Sequence, residues 1–178
     1  MRIVKHLEAV EGYLTLGMTE DALAEANAAL AEAPDAEPCL LAKASVLLTM
    51  KRYAEAEGRF TELLAVNARS VDGWIHLAYC QRRTTSLDAA AKTLQHALTL
   101  DPAHGLANFN MACYRAVQGL HADALRLLAK AVKKDAGFRK LAQEEKDFDS
   151  IRTLPEFQEL AASEGRVPAI VENSVGIP

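Results

Sequence analysis

Four alanines, Ala22, Ala56, Ala90 and Ala124, stand 34 residues apart, and the residues around them repeat in the same phase to about residue 136. A repeat of this length is typical of a solenoid built from helix-turn-helix units. Further apolar residues follow each alanine at offsets of four and seven, which places them on one helical face. They are Ala26 and Ala29, Phe60 and Leu63, Leu94 and Ala97, and Leu128 and Ala131. The pattern therefore predicts an all-α fold in which each alanine marks a close helix contact, where a larger side chain should cost ~1–3 kcal/mol.

Turn residues between the apolar segments predict where the helices begin and end. Gly17 and Gly119 stand where a helix ends in a left-handed residue. Pro34, Pro38 and Pro102 fall between helices, as expected for a residue that interrupts helical hydrogen bonding. The predicted helices span 3–16, 20–32, 37–50, 53–66, 71–84, 87–100, 105–118, 121–134, 137–146 and 155–163.

The third unit carries a recognisable motif, made of Trp74, Leu77 and Ala78 followed by Ala90, Leu94, Ala97 and Pro102. It resembles a tetratricopeptide repeat, with Gln81 at the position where that family has an aromatic residue. In the other three units the tryptophan position holds His6, Leu40 and Asn108. The resemblance implies a right-handed α-α superhelix of four repeats, at about 3–34, 37–68, 71–102 and 105–136.

The segment after the fourth unit, Asp147 to Phe157, is similar to a closing segment found after the last repeat in many bacterial tetratricopeptide proteins. This resemblance implies a bacterial protein in which residues 137–163 form capping helices over the exposed end of the array. We expect the covering side chains to be Leu141, Phe148, Ile151, Leu154, Phe157 and Leu160.

Residues 164–178 predict an extended apolar tail, because proline and glycine interrupt a segment that contains Val167, Ile170 and Ile177. Three roles remain open for this tail: a loosely attached end, a segment lying in the protein's own groove, or a contact in a homodimer.

Net charge and aromatic content bear on whether the protein binds nucleic acid. A net charge of −4 and an aromatic content of 6% argue against nucleic acid, which needs a dense basic surface and stacking platforms. One basic stretch is present and is interpreted as a solvated helix end whose cations favour the helix dipole. It consists of Arg126, Lys130, Lys133, Lys134, Arg139 and Lys140.

Location is predicted from the apolar runs and the cysteines. The sequence contains no run suited to a membrane span or a signal peptide. The three cysteines contain no Cys-x-x-Cys pair and are odd in number, which suits a reducing compartment. We therefore expect a cytoplasmic protein without a membrane partner, and whether an export signal has been removed stays open.

Sequence signatures of catalysis are absent. No phosphate-binding glycine loop, zinc-protease helix or nucleophile-elbow motif occurs in the chain. The five histidines are scattered over different segments, which disfavours a metal centre. The sequence therefore predicts a protein that is not an enzyme and needs no cofactor or metal.

The family resemblance places the binding groove on the first helices of the repeats. Carried over by position, the groove residues are Leu7, Glu11, Leu41, Ser45, Ile75, His76, Tyr79, Arg82, Arg83, Phe109, Asn110 and Cys113. We expect apolar anchoring of a peptide by Leu41, Ile75, Tyr79 and Phe109, and orientation of an acidic peptide residue by Arg82, Arg83 and His76. Cys113 has a second interpretation as a small buried hydrophobe. The carboxylate clamp that binds chaperone tails in one subclass is not reproduced, so such tails should not bind in this groove.

Two functions follow from this resemblance. The first is an adaptor or scaffold that binds a peptide segment of a partner protein in the concave groove. The alternative is a small chaperone, or a self-associating subunit, for an apolar client, with a homodimer formed through the groove or the tail. The identity of the partner, the pathway and the oligomeric state stay open, because a solenoid implies a binding surface and not an identity.

Overall fold

A computed structural model describes residues 2–162 of the chain, and within that range it is helical and has no strands. The first six helices are α1 (Arg2–Thr15), α2 (Thr19–Glu32), α3 (Glu37–Thr49), α4 (Tyr53–Val66), α5 (Val71–Thr84) and α6 (Leu87–Leu100). The next are α7 (Gly105–Val117), α8 (His121–Lys134), α9 (Phe138–Glu144), a 3₁₀ helix (Lys146–Phe148) and α10 (Pro155–Ala161). The all-α prediction is confirmed, and each predicted boundary lies within two residues of an observed helix end.

The repeated apolar face of the second helices is fully buried. Ala22, Ala56, Ala90 and Ala124 have no accessible surface, and the same holds for every residue at the offsets of four and seven. Helices α1 and α2, α3 and α4, α5 and α6, and α7 and α8 pack as hairpins. The small residues therefore lie where the sequence period predicts the closest packing.

The described part of the chain divides into two compact units, residues 2–101 and residues 102–162. In the first unit, α2 packs against α3 and α4 packs against α5, so the three hairpins follow one another without a gap. One core cluster there contains Leu40, Phe60 and Leu77, and a second contains Val10 and Val46. The first unit therefore buries its apolar surface between successive hairpins.

The second unit buries its apolar surface against a terminal cap. Phe109 of α7 stacks on Phe138 of α9, with ring centroids 5.1 Å apart, and meets the edge of Phe148 at 5.7 Å. Phe148 in turn contacts Phe157 of α10 at 5.6 Å. Four of the six expected covering residues are buried, namely Phe148, Ile151, Phe157 and Leu160.

Two details of this cap differ from the sequence prediction. Leu154 is half-buried, and Leu141 is 48% exposed, so the expectation that Leu141 covers the array is wrong. Phe138 of the same helix covers Phe109, and Gly105 leaves room for its ring. A Cβ atom at Gly105 would lie 2.8 Å from Phe138 Cε2. A side chain at residue 105 would therefore require the Phe138 ring to shift.

The turns inside the hairpins follow two patterns. Gly17 and Gly119 end their helices with φ of +74° and +76°, which confirms the predicted left-handed positions. Lys51, 34 residues after Gly17, adopts φ of +59° although it is not glycine. The turn of α5 and α6 is different, because Thr85 has φ of −122° and the Ser86 side chain accepts a hydrogen bond from the backbone N–H of Ala89. Three turns therefore use a left-handed residue and one uses a side-chain cap.

None of the helices in residues 2–162 is both long and apolar enough to cross a bilayer. The predicted tail, 164–178, lies outside the described residues.

Candidate functional site

The groove positions predicted in the first unit differ in how much surface they offer. Leu7, Leu41 and Ser45 are half-buried on α1 and α3, and Glu11 is exposed. On α5 the half-buried positions are His76, Tyr79 and Arg82, and Arg83 is exposed. Ile75 is 1% exposed and belongs to the core, so its side chain offers no surface for anchoring a peptide. The accessible part of the predicted site in this unit therefore excludes Ile75.

The arginine and tyrosine at the C-terminal end of α5 form one packed cluster with a residue of α4. The Arg83 guanidinium carbon lies 3.5 Å from the Tyr79 ring centroid and 5.0 Å from that of Tyr53. The two tyrosine rings meet edge to face, with centroids 6.2 Å apart. Arg83 Nη1 also donates a hydrogen bond to the Tyr79 carbonyl oxygen at 2.9 Å. These contacts hold the guanidinium in place over the ring, which leaves less side-chain entropy to lose on binding.

Tyr53 was missed by reasoning from groove positions. It begins α4, a second helix of a repeat, whereas the family's groove positions lie on first helices. Its aromatic type was visible in the sequence, but nothing local connects it with Tyr79, which is 26 residues away. Only the packing of α4 against α5 brings the two rings together.

His76, which is expected to help orient an acidic peptide residue, packs on a core ring of the first unit. Its ring stacks on the fully buried Phe60, with centroids 5.3 Å apart. Burial lowers the pKa of His76, because the charged imidazolium loses hydration, and the nearby Asp72 only partly offsets this. His76 is therefore neutral near pH 7 and acts as a packing residue against Phe60.

The three predicted groove residues of the second unit lie largely in its interior. Phe109 is 6% exposed because Phe138 and Phe148 cover it. Asn110 is half-buried. Cys113 is buried, as are Cys39 and Cys80, and none of the three forms a disulfide within the described residues. The second interpretation of Cys113, a small buried hydrophobe, therefore agrees with its position.

Cys113 lies beside two carboxylates, the arrangement in residues 2–162 that comes nearest to a metal centre. One potential ligand atom from each of Cys113, Glu145 and Asp147 lies within 4.8 Å of the others. Glu145 has a structural role, because its side chain accepts a hydrogen bond from the backbone N–H of Asp147 at the start of the 3₁₀ helix. Capping of this helix explains the position of Glu145 without a metal.

Comparison with solved structures identifies the fold. The chain superimposes on a crystal structure of MamA with a TM-score of 0.71 at 15% identity, over 89% of this chain and 91% of that one. For MamA from Desulfovibrio magneticus RS-1, starting at position 41, the TM-score is 0.68 at 17% identity, over 76% of both chains. YrrB, described as a TPR protein with an unusual peptide-binding site, gives 0.64 at 18% identity, over 87% of this chain and 84% of that one.

No family model matches the sequence, and no curated protein matches it. The structural likeness therefore establishes the fold class: an all-α helical repeat with the architecture of a tetratricopeptide repeat protein. The resemblance inferred from Trp74 and the 34-residue period is confirmed at the level of the fold.

Proposed function

We propose that this protein is an interaction scaffold that binds a peptide segment of a partner protein on the first-helix face of its first unit. The site consists of the accessible groove positions on α1, α3 and α5, without Ile75 and with His76 as a packing residue. These positions are Leu7, Glu11, Leu41, Ser45, Tyr79, Arg82 and Arg83. The proposal assigns no catalytic step, because helical repeats of this kind offer extended surfaces and not enclosed reaction sites.

The observation that supports this proposal is the cluster of Arg83, Tyr79 and Tyr53. Tyrosine and arginine are enriched among residues that dominate binding energy at protein interfaces. Arg83 is exposed yet is held flat against the Tyr79 ring, so its charge is accessible without the usual mobility of a surface arginine. Half-buried Leu41 on α3 supplies apolar surface on another first helix of the same unit. A peptide with one acidic and one apolar side chain matches this combination.

Selection of peptides from a random dodecamer display library on the immobilised protein tests the proposal. Peptides that bind the wild type should bind Arg83→Gln and Tyr79→Leu about tenfold more weakly, as expected for hot-spot residues. Arg69→Gln is the matched control, because Arg69 is an exposed arginine in the turn between α4 and α5. If the selected peptides bind the wild type and all these variants with equal affinity, the assignment of the binding site is wrong.

The alternative, a self-associating subunit or a chaperone for an apolar client, is favoured by exposed apolar side chains at one turn. Leu16 is 72% exposed and Met18 is 41% exposed, on either side of Gly17. Neighbouring apolar residues at a surface are a common element of contacts between chains. Sedimentation velocity over a range of concentrations tests this alternative. A dimer that becomes a monomer in Leu16→Gln/Met18→Gln would favour self-association over the adaptor function.

A further inference from the structure

We propose that the second unit carries a separate site for an acidic peptide, in a cleft between the chain segment before α7 and the C-terminal half of α8. The cleft has a volume of about 380 Å³ and is lined by Pro102, Ala103, Lys130, Lys133 and Lys134. Its ligand is an extended segment of a partner protein in which acidic side chains alternate with small apolar ones. This site is independent of the first-helix surface of the first unit.

The geometry of α8 places the three lysines together. Positions i, i+3 and i+4 of a helix share one face, so Lys130, Lys133 and Lys134 project to the same side of α8. Like charges at this spacing disfavour the helix slightly, although cations near its C-terminus recover part of that cost. The arrangement therefore concentrates positive charge at some expense to helix stability.

Within residues 2–162, none of these three ammonium groups takes part in an ion pair or a hydrogen bond. Arg126, on the same helix, is different, because it pairs with Asp123 at 3.0 Å. The protein as a whole carries a net charge of −4. The three lysines of the cleft therefore form a local region of positive charge on a protein whose net charge is negative. A cleft focuses the electric field of such charges toward an anionic ligand.

The repeat architecture does not require lysine at these positions. One repeat earlier, the places of Lys130, Lys133 and Lys134 hold His96, Thr99 and Leu100. Two repeats earlier they hold Glu62, Ala65 and Val66. The same kind of helical hairpin therefore forms without lysine at these places, and the lysine cluster is particular to the fourth hairpin.

The apolar part of the lining indicates a peptide and not a nucleic acid. Pro102 and Ala103 supply an exposed apolar wall, and the Lys134 stem packs close to Gly105, with Cγ 3.3 Å from the place of a Cβ atom. The aliphatic lysine stems thus extend that wall while their charged ends reach solvent. The lining contains no aromatic ring on which a base could stack. Acidic and small apolar side chains of one peptide can use both parts of the cleft.

Fluorescence anisotropy with a labelled hexapeptide tests the proposal on the full chain. The probe is fluorescein-labelled Glu-Ala-Asp-Ala-Glu-Ala, and the comparison probe replaces its acidic residues by Gln and Asn. We expect the acidic probe to bind and the amide probe to bind at least about tenfold more weakly, since each lysine loses its anionic partner. Affinity for the acidic probe should also fall as salt rises from about 0.05 to 0.5 M, because these charges are solvated.

The variant Lys130→Gln/Lys133→Gln/Lys134→Gln should bind the acidic probe at least about tenfold more weakly than the wild type does. The matched control is Lys5→Gln/Lys92→Gln/Lys146→Gln, which also removes three exposed lysines and likewise changes the net charge from −4 to −7. The control should retain wild-type affinity within about twofold, because binding depends on the place of the lysines and not on net charge. Circular dichroism of both variants checks that they remain helical.

Four results would overturn the proposal. The first is the absence of binding of the acidic probe at about 1 mM protein, which would mean a negligible affinity. The second is an equal loss of affinity for the acidic probe in the two triple variants. The third is tighter, lysine-dependent binding of a labelled single-stranded DNA, which would assign the cleft to nucleic acid. The fourth is concentration-dependent self-association that only the cleft variant abolishes, which would make a second copy of the chain the occupant.

Discussion

The third hairpin (α5 and α6) and the fourth hairpin (α7 and α8) place different side chains at one repeat position yet form the same hydrogen bond. The Trp74 indole Nε1 donates to the carbonyl oxygen of Ala68 at 2.9 Å. Asn108, 34 residues later, donates from Nδ2 to the carbonyl oxygen of Pro102 at 3.0 Å, and Pro102 follows Ala68 by the same interval. In these two hairpins the donor therefore ties the first helix to the preceding turn.

The surroundings of the two donors are different. The Trp74 ring stacks on His96, with centroids 4.6 Å apart, at the half-exposed edge of the hairpin. Asn108 is buried, donates a second hydrogen bond to the His104 carbonyl oxygen at 2.9 Å, and leaves its own Oδ1 atom without a hydrogen-bond partner within the described residues. Removal of the buried amide should thus disturb its hairpin more than removal of the indole N–H.

A second difference lies one residue further on, at Ile75 and Phe109. Both are buried, but Phe109 is covered by aromatic rings of the cap. Phe148→Ala should therefore show the largest effect, with the second unit losing ~3–5 kcal/mol through a cavity beside Phe109. Hydrogen exchange should show faster exchange in α7 and unchanged exchange in α5. Leu141→Ala, at an exposed position of the same cap, should change stability by less than ~0.5 kcal/mol. A loss of protection in α5 as large as that in α7 would contradict this contrast.

The two donors can be compared directly by substitution. Asn108→Ala should lower the free energy of unfolding by ~1–3 kcal/mol, because the carbonyl oxygens of Pro102 and His104 lose a donor in two part-buried hydrogen bonds. Trp74→Phe keeps a ring against His96 and removes one exposed hydrogen bond, so it should cost only ~0.5–1.5 kcal/mol. Urea titration of both variants measures the order. A greater loss for Trp74→Phe would show that the indole ring, and not its hydrogen bond, maintains the third hairpin.

The turns of the two hairpins allow a smaller test. Gly119 has φ of +76°, so Gly119→Ala should cost ~1–2 kcal/mol of left-handed strain. Thr85 stands at the same repeat position with φ of −122°, where alanine fits without strain. Thr85→Ala should therefore leave the thermal midpoint nearly unchanged, while Gly119→Ala lowers it. Equal shifts in the two variants would mean that the turns do not differ as the structure shows.

The smallest expected effect is the pH dependence of the third hairpin. Burial lowers the pKa of His76 in the folded state, while the unfolded chain binds a proton near pH 6.5. As pH falls below about 6.5, the unfolded state gains protons first, so the free energy of unfolding declines until the folded pKa is reached. His76→Phe, which keeps a ring against Phe60, should remove this part of the decline between about pH 7 and 5.5. The fourth hairpin has Asn110 at this place and lacks this contribution. An unchanged pH profile in His76→Phe would refute the assignment.

Prediction from the sequence succeeded where structure follows from local spacing. The helix boundaries, the buried alanines and the left-handed turns at Gly17 and Gly119 all depend on residues within a few positions of one another. The cap was predicted in part, because Phe148 and Ile151 belong to an apolar pattern and are buried, whereas the packing of Phe138 on Phe109 depends on space beside the distant Gly105.

The candidate site was less predictable, because groove positions on a first helix are covered or free according to neighbouring elements. Ile75 and Phe109 are predicted from the sequence to anchor a peptide, but both side chains are buried in the core. Tyr53 has no local signal and joins Tyr79 and Arg83. The sequence pattern of Lys130, Lys133 and Lys134 indicates a solvated helix end, whereas in the structure these lysines line a cleft.

The sequence by itself determined the repeat length, the helices and the apolar face of every second helix, because these depend on the 3.6-residue period and on turn residues close in the chain. Only the tertiary structure decided which side chains of the first helices remain accessible, which ring covers Phe109 and which carbonyl oxygens Trp74 and Asn108 bind. Accessibility is a property of neighbours that are distant in the chain, and local spacing carries no information about how closely they pack.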